Sequence, residues 1–336
     1  MDKRQIWIDT LKAICMICVY IAHTEAFTTG NSILCKAVLP FYVNTFFFIS
    51  GYLLFKKYLK TEIIEKFSFV TYKKGVLNCL FKVAIPTIIF SILIYLPKIV
   101  FHGKSFNLST FVFDIIGGTS FWFTSALFIA QLVLLTLFLS RRKNILFYIS
   151  ITAIIFLLLQ AICDYTTKPA ADYSPWFWRT GLNYSLIMSL GGLYMIYEDK
   201  LKGLVLWIAT AISITGYYLL YTDHDVACLG LSGRCNLIGF LTSIATTFVL
   251  IEITKRIKAN KAMNFIGKNS ILFYFFSGAT PATFAALSTK FNINGEISLI
   301  MTLILSLTSS YAITYIIVKY FPFLTDIRLI NNVRNK

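Results

Sequence analysis

Ten runs of about twenty mainly apolar residues follow one another along this chain, each the length that one helix needs to cross a bilayer. They lie near 6–27, 37–55, 75–97, 115–140, 144–163, 180–197, 203–222, 235–251, 269–289 and 297–318, and most lack a full charge. In lipid a backbone must satisfy its own hydrogen bonds, which makes helices the natural reading of runs this long. The fold class is therefore all-α: a polytopic membrane bundle of about ten transmembrane helices, expected to form one domain over 1–336. The stretch 111–140 leaves room for a short re-entrant piece before its helix.

Composition closes off the soluble alternatives. The chain is 57% hydrophobic and 14% charged, more apolar surface than a water-soluble fold of this size can hide. Disorder, a coiled coil, a collagen-like repeat and a small disulfide scaffold are excluded on the same grounds.

The net charge of +16 is distributed in short blocks between the apolar runs. Of 31 Lys and Arg, 22 fall on one alternating set of connections and 7 on the other, with Lys12 and Lys82 inside runs. The positive-inside rule then puts both termini in the cytoplasm, as an even number of spans requires. No basic helix face or aromatic-interleaved motif is present, so nucleic acid is not an expected partner and the lipid bilayer is. Asp9, Lys12 and His23 interrupt the first run and no small-residue cleavage site follows it. That run reads as a retained helix rather than a signal peptide.

Seven cysteines form no framework of paired C-x-x-C motifs, although Cys228 and Cys235 could pair across one external loop. Asp223, His224, Asp225 and Cys228 could be read as metal ligands, but exposed loops carry such residues routinely and no full ligand spacing is present. No metal is expected. A Gly-rich phosphate loop, a G-x-S-x-G elbow and an H-E-x-x-H are all missing, and about 17 residues follow the last run. Any chemistry is expected within the bundle.

The first helix is the place to look, because ionisable groups inside a span are expensive and mark function. At about 100° per residue from Asp9, Lys12 lies near 300°, Tyr20 near 20° and His23 near 320°. One face is thus polar for roughly 21 Å, from the cytoplasmic entrance towards the outer third of the bilayer. A bland alternative stays open: Asp9 and Lys12 as an interfacial i,i+3 pair, with Lys12 snorkelling and His23 at the outer interface. Neutral imidazole can take a proton from a hydroxyl near physiological pH, which makes His23 the candidate general base. Glu25, near 160°, could orient it only if the helix has already ended there.

Ile8-Asp9-Thr10-Leu11-Lys12-Ala13, followed by Tyr20-Ile21-Ala22-His23, resembles the opening of the acyltransferase-3 family of bacterial integral-membrane acyltransferases, in its fucose 4-O-acetylase-related branch. Phe46-Phe47-Phe48-Ile49-Ser50-Gly51-Tyr52-Leu53 is similar to that family's F-F-F-I-S-G-Y-L. Phe121-Trp122-Phe123 with Ala126-Leu127-Phe128, and Ile266-Gly267-Lys268-Asn269-Ser270 with Tyr274, resemble two later segments. There are departures. Cys79 stands where the family often has the first of two basic residues before Pro86, leaving Lys82. Tyr42-Val43-Asn44 replaces a His-Met-Pro, and Ser277 replaces a His.

The resemblance implies transfer of an acyl group, usually acetyl, from cytoplasmic acyl-CoA to a hydroxyl of a cell-surface or envelope glycan, in the bacterial inner membrane. His23 would then be the base, with Asp9 and Glu25 as further catalytic candidates. Arg4, Lys12, Lys73, Lys74 and Lys82 would meet the polyanionic acyl-CoA donor, although lysines there also satisfy positive-inside statistics. Tyr42, Asn44 and Trp122 are substrate-binding candidates; Asn44 or Ser50 could supply an oxyanion donor. Trp122 and Tyr52 could equally be belt or core aromatics. Homo-oligomers or glycan-assembly partners fit the same reading. Two rivals remain: a transporter or flippase using the same polar stripe, and a non-catalytic partner in polysaccharide assembly. Pro86 and Pro281 are single interruptions without the paired broken helices of a repeat-built carrier.

Overall fold

A computed structural model describes residues 5–28, 33–60, 63–102, 107–165, 174–201, 203–222, 237–258, 260–293 and 295–329. Among them the chain is helical and has no strand. The main helices are α1 (Ile6–Thr28), α2 (Tyr42–Phe55), α3 (Phe69–Cys79), α4 (Ile85–His102), α5 (Trp122–Phe138), α6 (Ile145–Tyr165) and α7 (Trp178–Tyr197). They continue with α8 (Leu204–Thr222), α9 (Leu237–Arg256), α10 (Lys261–Lys268), α11 (Ser270–Phe276), α12 (Ala279–Lys290) and α13 (Gly295–Tyr320).

Seven helical stretches among the described residues are long and apolar enough to cross a membrane: Ile6–Thr28, Lys36–Leu59, Phe69–Tyr95, Thr119–Phe138, Leu237–Arg256, Ser270–Lys290 and Gly295–Tyr320. The other three expected spans are helices too. Ile145–Ala161 and Leu204–Leu220 are apolar stretches within α6 and α8, and α7 carries Arg179, Thr180 and Asn183 in its first turns.

The third and fourth spans show two shifted starts and one internal irregularity, each with a local reason. The third span begins at Phe69 rather than 75, because Ser68 caps it by accepting from the Thr71 N–H at 3.3 Å. A π-helical turn, Leu80–Ala84, joins α3 to α4 just before Pro86. Pro86 has no N–H for the Lys82 carbonyl, and widening the helix there accommodates the missing bond. The fourth span starts at Thr119, because Gly117 and Gly118 separate it from short helical turns over Leu108–Phe111 and Val112–Ile116. A short helical piece therefore precedes this helix.

The chain divides into two compact units. The first comprises Met1–Phe46, Gly203–Cys228 and Asn236–Phe321; the second comprises Phe47–Lys202, Leu229–Cys235 and Pro322–Lys336. In the first unit α1 is the central element and packs against α9, α10, α11, α12 and α13, while α8 packs along α9. In the second unit α7 lies against α5 and α6, and α3 lies against α5. Backbones come unusually close there: a Cβ on Gly51 would sit 1.9 Å from the Met188 carbonyl oxygen, and one on Gly191 would sit 2.0 Å from that of Phe48. The glycine of the F-F-F-I-S-G-Y-L segment is therefore where α2 meets α7.

Candidate functional site

The polar face of α1 belongs to the first unit. Asp9 is buried, as are Thr10, Tyr20, Thr24 and Glu25, while Lys12 and His23 are half-buried. Because α1 is continuous to Thr28, Glu25 stays on the other side of the helix from His23. The condition for Glu25 to orient the imidazole, an ended helix, is not met.

Asp9 lies where α10 meets α1 most closely. A Cβ on Gly267 would be 1.8 Å from the Asp9 carbonyl oxygen, so only glycine fits at this crossing. α10 ends one residue later at Lys268 and the Asn269 junction leads into α11, where Tyr20 donates its hydroxyl to the Phe273 carbonyl at 2.9 Å. That carbonyl would ordinarily accept from the Ser277 N–H four residues on, but Ser277 N–H bonds to Tyr274 instead. Pro281 cannot donate to the Ser277 carbonyl either. The expected span 269–289 is thus two helices with a turn at Ser277–Gly278, and Tyr20 satisfies part of the break. The Tyr20 hydroxyl also lies against Thr280 and Ser310, which bond to each other at 3.1 Å.

Asn44, in the first turn of α2, is buried. Its Nδ2 donates to Ser243 Oγ at 2.5 Å and to the Pro40 carbonyl at 3.3 Å. Both amide hydrogens are committed, so the atom left over is an acceptor, Oδ1, which has no partner. In this arrangement Asn44 offers no oxyanion donor. Neighbouring Thr45 pairs with Thr247 at 2.7 Å. Tyr42 is half-buried at the start of the same helix.

One set of residues was not singled out from the sequence. Ser298, Thr302, Ser306, Ser310 and Thr314 recur every fourth residue on α13 and are all buried. Their spacing alone marks one face of a helix. Ser298 pairs with Ser288 at 2.6 Å, whereas the hydroxyls of Thr302, Ser306 and Thr314, like that of Thr24 on α1, have no partner.

The donor-side candidates of the second unit are Lys73, Lys74 and Lys82, all exposed along the rod formed by α3 and its π turn. A residue the sequence reading missed joins them. Arg328, in the segment after α13, donates to Asn78 Oδ1 at 3.2 Å, and its guanidinium lies 5.2 Å from the Phe81 ring centre. It also grips Asp326 with two parallel bonds, Nε to Oδ1 at 2.8 Å and Nη2 to Oδ2 at 2.5 Å. That hydrogen-bonded guanidinium holds the Asp326 carboxyl below the usual carboxylate range, and Lys82 adds to the effect. Trp122 opens α5, half-buried, with its ring tilted against Tyr184 at 6.5 Å. Tyr52 is a core residue: it is buried, lies near Tyr194 and donates to Glu198 Oε2 at 2.8 Å.

The predicted residues therefore divide. Asp9, Lys12, His23, Glu25, Tyr42 and Asn44 fall in the first unit; Lys73, Lys74, Lys82 and Trp122 fall in the second. Arg4, and the loop residues Asp223, His224, Asp225, Cys228 and Cys235, lie outside the described residues.

A family model, described as an acyltransferase domain, matches residues 5–319. The chain belongs to the acyltransferase-3 family. The match runs from the first turn of α1 to the last turn of α13 and takes in residues of both compact units. With its apolar helices, that membership makes the chain a multi-pass membrane protein. No curated protein and no solved structure matches it.

Proposed function

We propose that this acyltransferase moves an acyl group, acetyl in the simplest case, from cytoplasmic acyl-CoA to a hydroxyl of a cell-surface or envelope glycan, with His23 as general base. The observation that carries the reading is the family match over 5–319. The state of His23 supports it: half-buried on an unbroken helix, and one turn from the buried Tyr20. In the reaction the acceptor oxygen attacks the thioester carbonyl while an imidazole nitrogen takes its proton. The C–S bond breaks, an ester forms, and the coenzyme A thiolate recovers the proton from the imidazolium, so no proton is gained or lost overall. Asn44 Oδ1, an acceptor without a partner, is assigned to an acceptor hydroxyl.

We assign donor contacts to Arg4, Lys12, Lys73, Lys74 and Lys82. Coenzyme A is polyanionic and these are cations. Asp9 is assigned a supporting role, and Tyr42 and Trp122 contacts with substrate. Ten spans, both termini in the cytoplasm, a bacterial inner membrane and the fucose 4-O-acetylase-related branch complete the proposal.

The purified chain in liposomes, given radiolabelled acetyl-CoA and an envelope glycan, tests it. Label entering the glycan supports transfer; movement of unlabelled, unmodified glycan would mean transport instead. His23→Ala should lower transfer by at least a hundredfold, roughly the lower limit for losing a general base, with the folded fraction unchanged by gel filtration. Normal turnover in that variant would remove the assignment. If Lys74 holds the donor equally in the ground state and the transition state, Lys74→Gln should raise the KM for acetyl-CoA and leave kcat intact.

A further inference from the structure

A groove of about 270 Å³ runs between α8 and α9, wholly within the first unit. Leu206, Trp207, Val249 and Ile253 line it, with Glu252 and Arg256 on α9. Its apolar walls face outward: Trp207 is 74% exposed and Ile253 45% exposed. At less than the roughly 300–1,000 Å³ of small-molecule sites, it suits a slender chain better than a compact ligand.

The charges at this groove do not cancel. Glu252 is engaged by Lys255, Nζ to Oε1 at 2.8 Å, and Lys255 also lies over the Trp7 ring at 5.6 Å. Arg256 is exposed and, among the described residues, has no hydrogen-bond or ion-pair partner. Exposed Lys258 and Lys261 follow it at the same end of the helix. The groove therefore ends in a forked, permanently charged donor set with no acceptor among the described residues, at the terminus of a helix long enough to span a bilayer.

We propose that this groove holds one phospholipid with an anionic headgroup, an acyl chain against Trp207, Val249 and Ile253 and the phosphate on the Arg256 guanidinium. Lipid is the occupant that the surroundings supply, because exposed apolar helix faces of a multi-pass protein are covered by acyl chains. The groove gains no hydrophobic advantage over bulk lipid, whose tails are equally apolar. Selectivity comes from the bidentate match between guanidinium and phosphate and from the headgroup's net charge. This site is independent of the acyl-transfer chemistry.

The test uses the full chain in nanodiscs of equal parts phosphatidylcholine and phosphatidylglycerol, extracted gently and weighed intact by native mass spectrometry. The wild type should retain phosphatidylglycerol in preference to phosphatidylcholine. Arg256→Ala should reduce that preference by roughly fivefold, the factor expected for one basic side chain at a membrane surface. Val249→Trp, which fills the groove and keeps the charge, should lower the retained lipid as well. Both variants must remain monodisperse, and Lys290→Ala, on α12, is the control that should change nothing. Equal retention of both lipids by the wild type overturns the proposal, as does an unchanged preference in Arg256→Ala. Release of the lipid by millimolar inorganic phosphate would make this a free-phosphate site. Dimers cross-linked through Trp207→Cys would make it an interface between copies. Either result replaces the lipid.

Discussion

At Gly267 one missing methyl group sets the distance between two helices. A Cβ there would overlap the Asp9 carbonyl and not a flexible side chain, so α10 would have to withdraw from α1. Gly267→Ala is expected to cost about 3 kcal/mol or more, read as a loss of folded protein in a thermal unfolding scan. The hydroxyl row of α13 predicts the opposite sign. Ser306 has no partner, so Ser306→Ala removes a desolvated group without breaking a bond and should be neutral or slightly stabilising. Ser310→Ala should cost about 1 kcal/mol, because Ser310 pairs with Thr280. The two variants, compared by denaturation midpoint in the same detergent, check the contrast. His23 and Asp9 were legible as candidates because charge is conspicuous in an apolar run. Asn44 was legible as a polar residue, but its available atom was not, since that depends on Ser243, 199 residues away.

Within the elements, two features are set by hydrogen bonds that a helical pattern does not reveal. Pro281 announces trouble in the ninth span, yet the break falls at Ser277–Gly278 and is stitched by Tyr20. Tyr20→Phe leaves the Phe273 carbonyl without that donor and should destabilise the chain by about 1–3 kcal/mol. Amide exchange at residues 273–280 should then speed up more than exchange elsewhere. The segment after α13 is the second case. Folding lowers the Asp326 pKa through Arg328. Its stabilising contribution is therefore complete above the ordinary carboxylate pKa, about 3.9, and fades as pH falls through the lower folded value. Cleavage of the 322–329 segment by an acid-active protease should rise across that acidic window, and Arg328→Ala should show the same susceptibility already at neutral pH.

Across the whole molecule, ten spans and two cytoplasmic termini are a statement about sidedness that labelling can test. Single cysteines at Lys143 and Lys200 should react with an impermeant maleimide only from inside, and one at Lys290 only from outside. Labelling of all three from one side would overturn the alternation. The sequence by itself determined that the chain is a set of membrane-length helices, because a backbone in hydrocarbon has few other ways to satisfy its polar groups. It also determined the family, whose motifs persist from α1 to α11. Only the tertiary structure decided that Gly267 is pressed against Asp9, that Tyr20 caps a broken helix, that Asn44 spends both its donors, and that Arg328 stands beside Asn78. The reason is geometric: periodicity gives the angle of each residue about its own helix axis, whereas the element that comes to meet that face can lie hundreds of residues away.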